Sequence, residues 1–290
     1  MSTTDQSENT HSEKTYAELS QAVFTQHWET LELHTQGPIL HLWLNRPEVC
    51  NAMSELMVSE LKQVFQALST NHDIRAVILR GKNGNFCAGA DIKDMGRLRL
   101  SAAQGDTAVF ARFNRQFGDL MQLVNEAPQI VVAVIEGAVL GGGFGLACVS
   151  DVAICHSQAQ FGLPETGLGI IPAQIAPFIV QRIGLTQARR LALLGMRFDG
   201  TTAQRLGLVH EAIDHPAALE SALHDLEQQI RRTAPEASRV TKALLHRVGQ
   251  QELHSLLDQA AEEFGRAVSG PEGQEGTMAF VQKRLPNWAS

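Results

Sequence analysis

Two short aliphatic runs, Arg75-Ala-Val-Ile-Leu79 and Ile130-Val-Val-Ala-Val-Ile135, each lead toward a glycine-dense loop. The loops are Phe86-Cys87-Ala88-Gly89-Ala90-Asp91-Ile92 and Leu140-Gly141-Gly142-Gly143-Phe144-Gly145. Apolar runs of this length read as strands covered on both faces, the pattern of a parallel sheet flanked by helices. Glycine permits close backbone approach, so such loops can aim bare N–H groups at one point where negative charge develops. Glu165, in Phe161-Gly-Leu-Pro-Glu165, is the acid/base candidate to work beside them.

The segments around these loops extend the same pattern. Residues 30–34 and 39–44 flank Gln36-Gly37-Pro38 and predict a hairpin. Ser54 is placed to cap a helix over Glu55 to about Leu68, with Leu56, Val58, Leu61, Val64, Phe65 and Leu68 on one face. A long helix is expected around 102–125 and a short strand over 151–155. Strands alternating with helices imply an α/β arrangement. From about residue 185 the pattern turns helical, with helices expected over 186–194, 201–206, 217–232, 236–248 and 250–268. Such a C-terminal part suits a lid or an oligomerisation element.

Composition narrows the class. A chain of 290 residues that is 44% apolar can bury a substantial core. Its net charge of −7, with both signs interspersed, argues against a broad nucleic-acid footprint. No apolar run reaches membrane-spanning length, so no membrane partner is expected. Cys50, Cys87, Cys148 and Cys155 lack Cys-x-x-Cys spacing and read as reduced thiols of a cytoplasmic protein. The eleven histidines are scattered, and neither a metal nor a redox cofactor is expected. Residues 1–25 are polar, without the apolar core of a secretory signal, and are expected to form a disordered tail.

Two nucleotide readings fail on one or two residues each. Gly84-Asn-Phe-Cys-Ala-Gly89 has phosphate-loop glycine spacing, but Ala90 and Asp91 follow where Lys and Ser or Thr are needed. The triple glycine does not complete a dinucleotide fingerprint, because Leu146 takes the last position.

Taken together, several segments resemble the crotonase (enoyl-CoA hydratase/isomerase) superfamily: Leu44-Asn-Arg-Pro47 with Asn51-Ala52, Phe86-Cys-Ala-Gly-Ala-Asp-Ile-Lys93, Gly137-Ala-Val-Leu-Gly-Gly-Gly143, Phe161-Gly-Leu-Pro-Glu165, Leu168-Gly-Ile-Ile-Pro172 and Ala203-Gln-Arg-Leu-Gly-Leu-Val209. The resemblance implies a crotonase-like spiral of ββα units over residues 26–200. It also implies a helical C-terminal trimerisation region over 201–290, giving a homotrimer or a hexamer built as a dimer of trimers. By motif position the N–H groups of Ala90 and Gly142 would hold the carbonyl oxygen of an acyl-CoA thioester. Coenzyme A enters only as part of the substrate. Ala88, Asp91, Ile92, Lys93, Gly141, Gln174 and Lys283 would contact substrate; Asp91 also fits an N-cap, and Lys93 and Lys283 fit contacts to CoA phosphate.

Two departures bear on the chemistry. Relatives that hydrate carry a second glutamate in the helix after the triple glycine, where this chain has Gly145; Glu165 is the acid that remains. After Pro172 the chain reads Ala-Gln-Ile-Ala-Pro177, so Gln174 stands at the edge of the acyl pocket, as a substrate contact or an exposed amide. The closest likeness is to a branch acting on 3-branched glutaconyl-CoA thioesters, such as isohexenylglutaconyl-CoA or 3-methylglutaconyl-CoA. It implies addition of water across the α,β double bond. The rival activity is Δ3–Δ2-enoyl-CoA isomerisation by one glutamate. A non-catalytic relative that binds RNA or acts as a scaffold is the reading from another class.

Overall fold

The computed structural model describes residues 23–289. The expected hairpin forms from β1 (Leu31–Gln36) and β2 (Ile39–Leu44), antiparallel with Gln36 opposite Ile39 across Gly37-Pro38. β2 then pairs in parallel with β3 (Ala76–Gly81), and β3 with β4 (Ile130–Ile135). With β6 (Val152–His156) and β9 (Glu211–Ile213) they complete a six-stranded sheet, ordered β1-β2-β3-β4-β6-β9. A second sheet, β5-β7-β8, joins β5 (Ala138–Leu140), β7 (Gln160–Gly162) and β8 (Arg197–Asp199). This is the mixed, mainly parallel α/β arrangement that strand–helix alternation implies.

Side chains alternate across the large sheet, as the two-residue period of a strand requires. Leu40, Leu42, Leu44, Val77, Leu79, Val131, Ala133 and Ile135 enter one core, with α1 (Glu55–Ser69), α3 (Val109–Asn125) and α4 (Gly142–Val149). Ile39, Ala76, Ile78, Val132 and Val134 enter the other, beneath α7 (Pro216–Arg232). Both faces are covered, which is why β3 and β4 are almost wholly apolar.

The structure revises several boundaries. Ser54 caps α1, its Oγ accepting from the Met57 N–H at 3.2 Å. On that helix Val58, Leu61, Val64, Phe65 and Leu68 are buried as expected, whereas Leu56 is 41% exposed and Met57 is buried. The helix expected around 102–125 begins later, as α3, and before it runs α2 (Ile92–Ala103), the helix that Asp91 fits as N-cap. Gly105, at φ +105°, lies in the bend between them, a backbone state that favours glycine. The expected C-terminal helices are α5 (Ala176–Leu194), which breaks at Gly184 (φ +74°), α6 (Gly200–Arg205), α7, α8 (Pro235–Arg247) and α9 (Leu253–Ser269). A further helix, α10 (Pro271–Val281), was not anticipated; Pro271 fits its first turn because that position needs no backbone N–H. Strands β5, β7, β8 and β9 are three residues each, too short for periodicity to declare.

At the N-terminal edge, Val23 and Phe24 pack against the core. Residues 1–22 of the expected tail lie outside the described residues.

Candidate active site

Both glycine loops leave the carboxyl ends of their strands, where α/β sheets open to ligands. Backbone bonds tie them together. The Cys87 N–H donates to Ala138 O at 2.8 Å, and the Leu140 N–H returns to Cys87 O at 2.9 Å. On the other side of the first loop, the Met53 N–H donates to Gly89 O at 2.8 Å and the Asp91 N–H to Met53 O at 2.9 Å. Those bonds engage the residues on either side of Ala90. The Ala90 N–H has no acceptor among the described residues, and Ala90 is exposed.

Gly142 is the first residue of α4, whose opening N–H groups have no partner within the helix. Gly141 before it sits at φ +49°, ψ −109°, a conformation for glycine alone, and offers no side-chain cap. The Gly142 N–H accordingly lacks an acceptor among the described residues. A Cβ built on Gly141 would stand 3.0 Å from Glu165 Oε1 and 3.8 Å from the Gly89 Cα. Both loops and the carboxylate therefore converge within the width of one side chain.

Glu165 begins the short 3₁₀ turn Glu165–Leu168 after β7. The Ile170 N–H donates to Glu165 O at 3.0 Å, and Thr166 Oγ1 donates to Ala192 O on α5 at 2.8 Å, fixing the turn from both sides. Burial raises the Glu165 pKa, a backbone N–H opposing in part. Its Oε2 is buried without a hydrogen-bond partner. A carboxyl so placed takes up and releases a proton more readily near neutrality than a solvated one.

The position of the missing second acid is physically closed. A Cβ on Gly145 would fall 2.4 Å from Ile175 Cγ2 and 3.1 Å from Met121 Sδ. Apolar side chains occupy the place where a glutamate would project.

Asp91 caps α2, accepting from the Lys93 N–H at 2.7 Å, and pairs with Arg46 at 2.7 Å. Burial would raise its pKa, but the Arg46 hydrogen bond, the Lys93 N–H and the Arg46 charge together bring it below the usual carboxylate value. Its oxygens are engaged within the protein. Ile92 is 87% exposed beside Ala90, Ala88 is half-buried with its N–H on Cys50 O, and Lys93 is exposed. Lys283 lies just beyond α10 at φ +54°, and no described contact links it to the loops. Gln174 is not an exposed amide: it is half-buried against α3, its Nε2 donating to Asn114 Oδ1 at 3.0 Å.

Residues that the motifs did not single out hold the loops. Arg46 Nη1 donates to Ala52 O at 2.7 Å, and the Arg46 N–H donates to Asn51 Oδ1 at 2.8 Å. The fully buried Asn51 also donates to Lys82 O at 2.9 Å and Asn85 O at 2.6 Å. Asn85 Oδ1 accepts from the Ala138 N–H at 3.0 Å, linking the segment before one loop to the strand before the other. On α3, the Phe117 ring approaches Gly142, where its Cζ would lie 3.1 Å from an added Cβ. Arg46 and Asn51 stood in the Asn-Arg-Pro and Asn-Ala segments; their distant partners, 31 to 45 residues away, were not visible there.

A model of the family described as enoyl-CoA hydratase/isomerase matches residues 34–290. The chain belongs to the enoyl-CoA hydratase/isomerase family. Among solved structures it is similar to AtuE of Pseudomonas aeruginosa, at 56% identity over 90% of this chain and 100% of that one, with a TM-score of 0.88. An enoyl-CoA hydratase/isomerase from Marinobacter aquaeolei is 55% identical over 90% and 100%, with a TM-score of 0.87. Among curated relatives, the 2,3-dehydroadipyl-CoA hydratase of Escherichia coli (strain K12) is 31% identical, covering 87% of this chain and 96% of its own length. The chain is thus an enzyme of the enoyl-CoA hydratase type. None of its described helices is long and apolar enough to cross a membrane.

Proposed function

We propose that this enzyme adds water across the α,β double bond of a 3-branched glutaconyl-CoA, of which isohexenylglutaconyl-CoA and 3-methylglutaconyl-CoA are the two candidates. The observation that carries the chemistry is the convergence of Glu165 Oε1 with Gly141 and Gly89, next to Ala90 and Gly142, whose N–H groups lack acceptors among the described residues. The thioester oxygen accepts from the Ala90 and Gly142 N–H groups. Glu165 takes a proton from water as the hydroxide adds to the β carbon, and the electron pair of the double bond moves onto the thioester as an enolate. The two N–H groups stabilise that oxyanion; each such donor is worth about 10²–10³ in rate. Glu165 then returns its proton to the α carbon, so one carboxyl serves both steps and is regenerated. The substrate class rests on the likeness of the Gly141–Asp151 and Leu163–Pro177 segments to that branch. The dehydroadipyl-CoA relative, named for the thioester of a dicarboxylic acid, is consistent with it.

Closure of the Gly145 position equally suits isomerisation by one acid. Incubating these two thioesters in ¹⁸O-labelled water tests the reading: label in a 3-hydroxyacyl product is expected. A shifted double bond without oxygen uptake would replace hydration with isomerisation.

The proposal extends to assembly. Leu253, Leu257, Phe264, Met278, Phe280 and Val281 on α9 and α10 are each more than half exposed. Apolar area of this extent marks an association surface, and further copies of this chain, as a trimer or hexamer, are the proposed occupants. The location proposed is the cytoplasm, as the reduced, buried Cys87, Cys148 and Cys155 suit.

A further inference from the structure

Gly118 is buried in the middle of α3, where glycine is a poor helix former. Gln174 fills the space its side chain would take. A Cβ on Gly118 would lie 1.9 Å from Gln174 Oε1 and 2.6 Å from Arg115 Nη1. Gln174 comes from the turn before α5, so a side chain at 118 would expel it.

A carboxamide has two N–H donors. The bond from Gln174 Nε2 to Asn114 Oδ1 uses one from Gln174 and none from Asn114. Three amide N–H donors remain without an acceptor among the described residues. The Arg115 guanidinium adds positive charge on the same helix face, although it also pairs with Asp119 at 2.9 Å.

This cluster borders the reaction centre. Asn114 and Phe117 share a face of α3 at a spacing of three residues, and the Phe117 ring abuts Gly142. Gln174 immediately precedes Ile175, which closes the Gly145 position. A thioester held at Gly142 would have the Phe117 ring beside it, with Asn114 one turn away on the same helix.

We infer that Gln174 and Asn114 form the polar end of the acyl pocket and select acyl groups that terminate in a carboxylate. A carboxylate only accepts hydrogen bonds and can take the three free amide N–H groups, while Gln174 Oε1 is turned toward Gly118 and Arg115; an alkyl end would strip those donors of water without replacing it. Gly118 is the residue that makes room for the pair. The inference rests on the acyl-CoA thioester reading, but holds for hydration and isomerisation alike.

The test uses saturated thioesters, which have no double bond to react. Calorimetry compares glutaryl-CoA, which ends in a carboxylate, with butyryl-CoA, which does not. The wild-type enzyme is expected to favour glutaryl-CoA by roughly ten- to a hundredfold, the strength of hydrogen bonds to a charged group. Gln174→Met and Asn114→Leu are each expected to cut that ratio by roughly tenfold. An unchanged ratio in both variants, or no wild-type preference, overturns the inference. A general loss of packing lowers both affinities and leaves the ratio, and the two variants act from different elements. The labelled-water assay is independent of this ratio, so failure of the hydratase reading is recognised separately.

Discussion

The two sides of the first turn of α4 face opposite chemistry. At Gly141 the absent side chain leaves room for Glu165 Oε1, 3.0 Å from where a Cβ would be; at Gly145 it leaves room for Ile175, at 2.4 Å. One glycine admits a reactive carboxyl with an unpartnered buried oxygen, and the other admits hydrocarbon. Glycine at the cap of α4 thus leaves space for a carboxyl, and glycine within its first turn leaves space for packing. The site is left with backbone donors and a single acid.

Removing the acid should have the largest effect. Glu165→Gln is expected to lower kcat by about 10²–10⁴, the usual contribution of a positioned acid/base. The same change should raise stability at neutral pH. Because burial raises the folded pKa of Glu165, its stabilising contribution is present below the ordinary value of 4.5 and lost as pH rises through the folded value. Thermal unfolding at pH 7 checks this; a less stable Gln variant contradicts a desolvated acid. The ascending limb of kcat/KM against pH should likewise lie above 4.5.

Next comes the donor on the same side. Gly142→Pro removes an N–H at a first-turn position that suits proline and should lower kcat by about 10²–10³. Gly142→Ala introduces the same contact with the Phe117 ring, 3.1 Å from the new Cβ, but keeps the N–H. Equal losses in the two variants would show that crowding, rather than the donor, sets the rate.

The loop supports come third. Arg46→Met leaves the buried Asp91 carboxylate without its partner, and breaking such a pair costs about 3–5 kcal/mol. Since the folded Asp91 pKa is lowered, its stabilisation is present above the ordinary value of 3.8 and lost as pH falls through the folded value. Denaturant titrations of wild type and variant should therefore converge toward acid pH.

The apolar side gives the smallest effect. Gly145→Ala should cost about 1–3 kcal/mol by overpacking against Ile175, and Ile175→Ala in the same chain should recover part of that loss. Additive losses in a double-mutant cycle would mean that the two positions do not compete for space.

Much of the fold was written locally. β3 and β4 announce themselves as apolar runs, the hairpin by Gly37-Pro38, and α1 by Ser54 and its period. The three-residue strands carry too little pattern to declare themselves. In the site, the glycine loops were legible because positive φ at Gly89 and Gly141 favours glycine, whereas Glu165 was singled out by its place after Leu163-Pro164 in the motif. Of the expected α1 face Leu56 alone is exposed, because period does not say how far neighbouring elements reach over a helix's first turn.

What the sequence alone determined is the material of the site: two loops free of side chains, one carboxyl after a proline, and no acid at residue 145. Tertiary structure decided the rest, namely that Asn51 and Arg46 lock the loops, that Ile175 closes the second position, and that Gln174 lies over Gly118. The physical reason is range. Strand period, caps and positive φ act over a few residues, whereas burial, pKa and the filling of a glycine's empty space depend on atoms the chain brings back from tens of residues away.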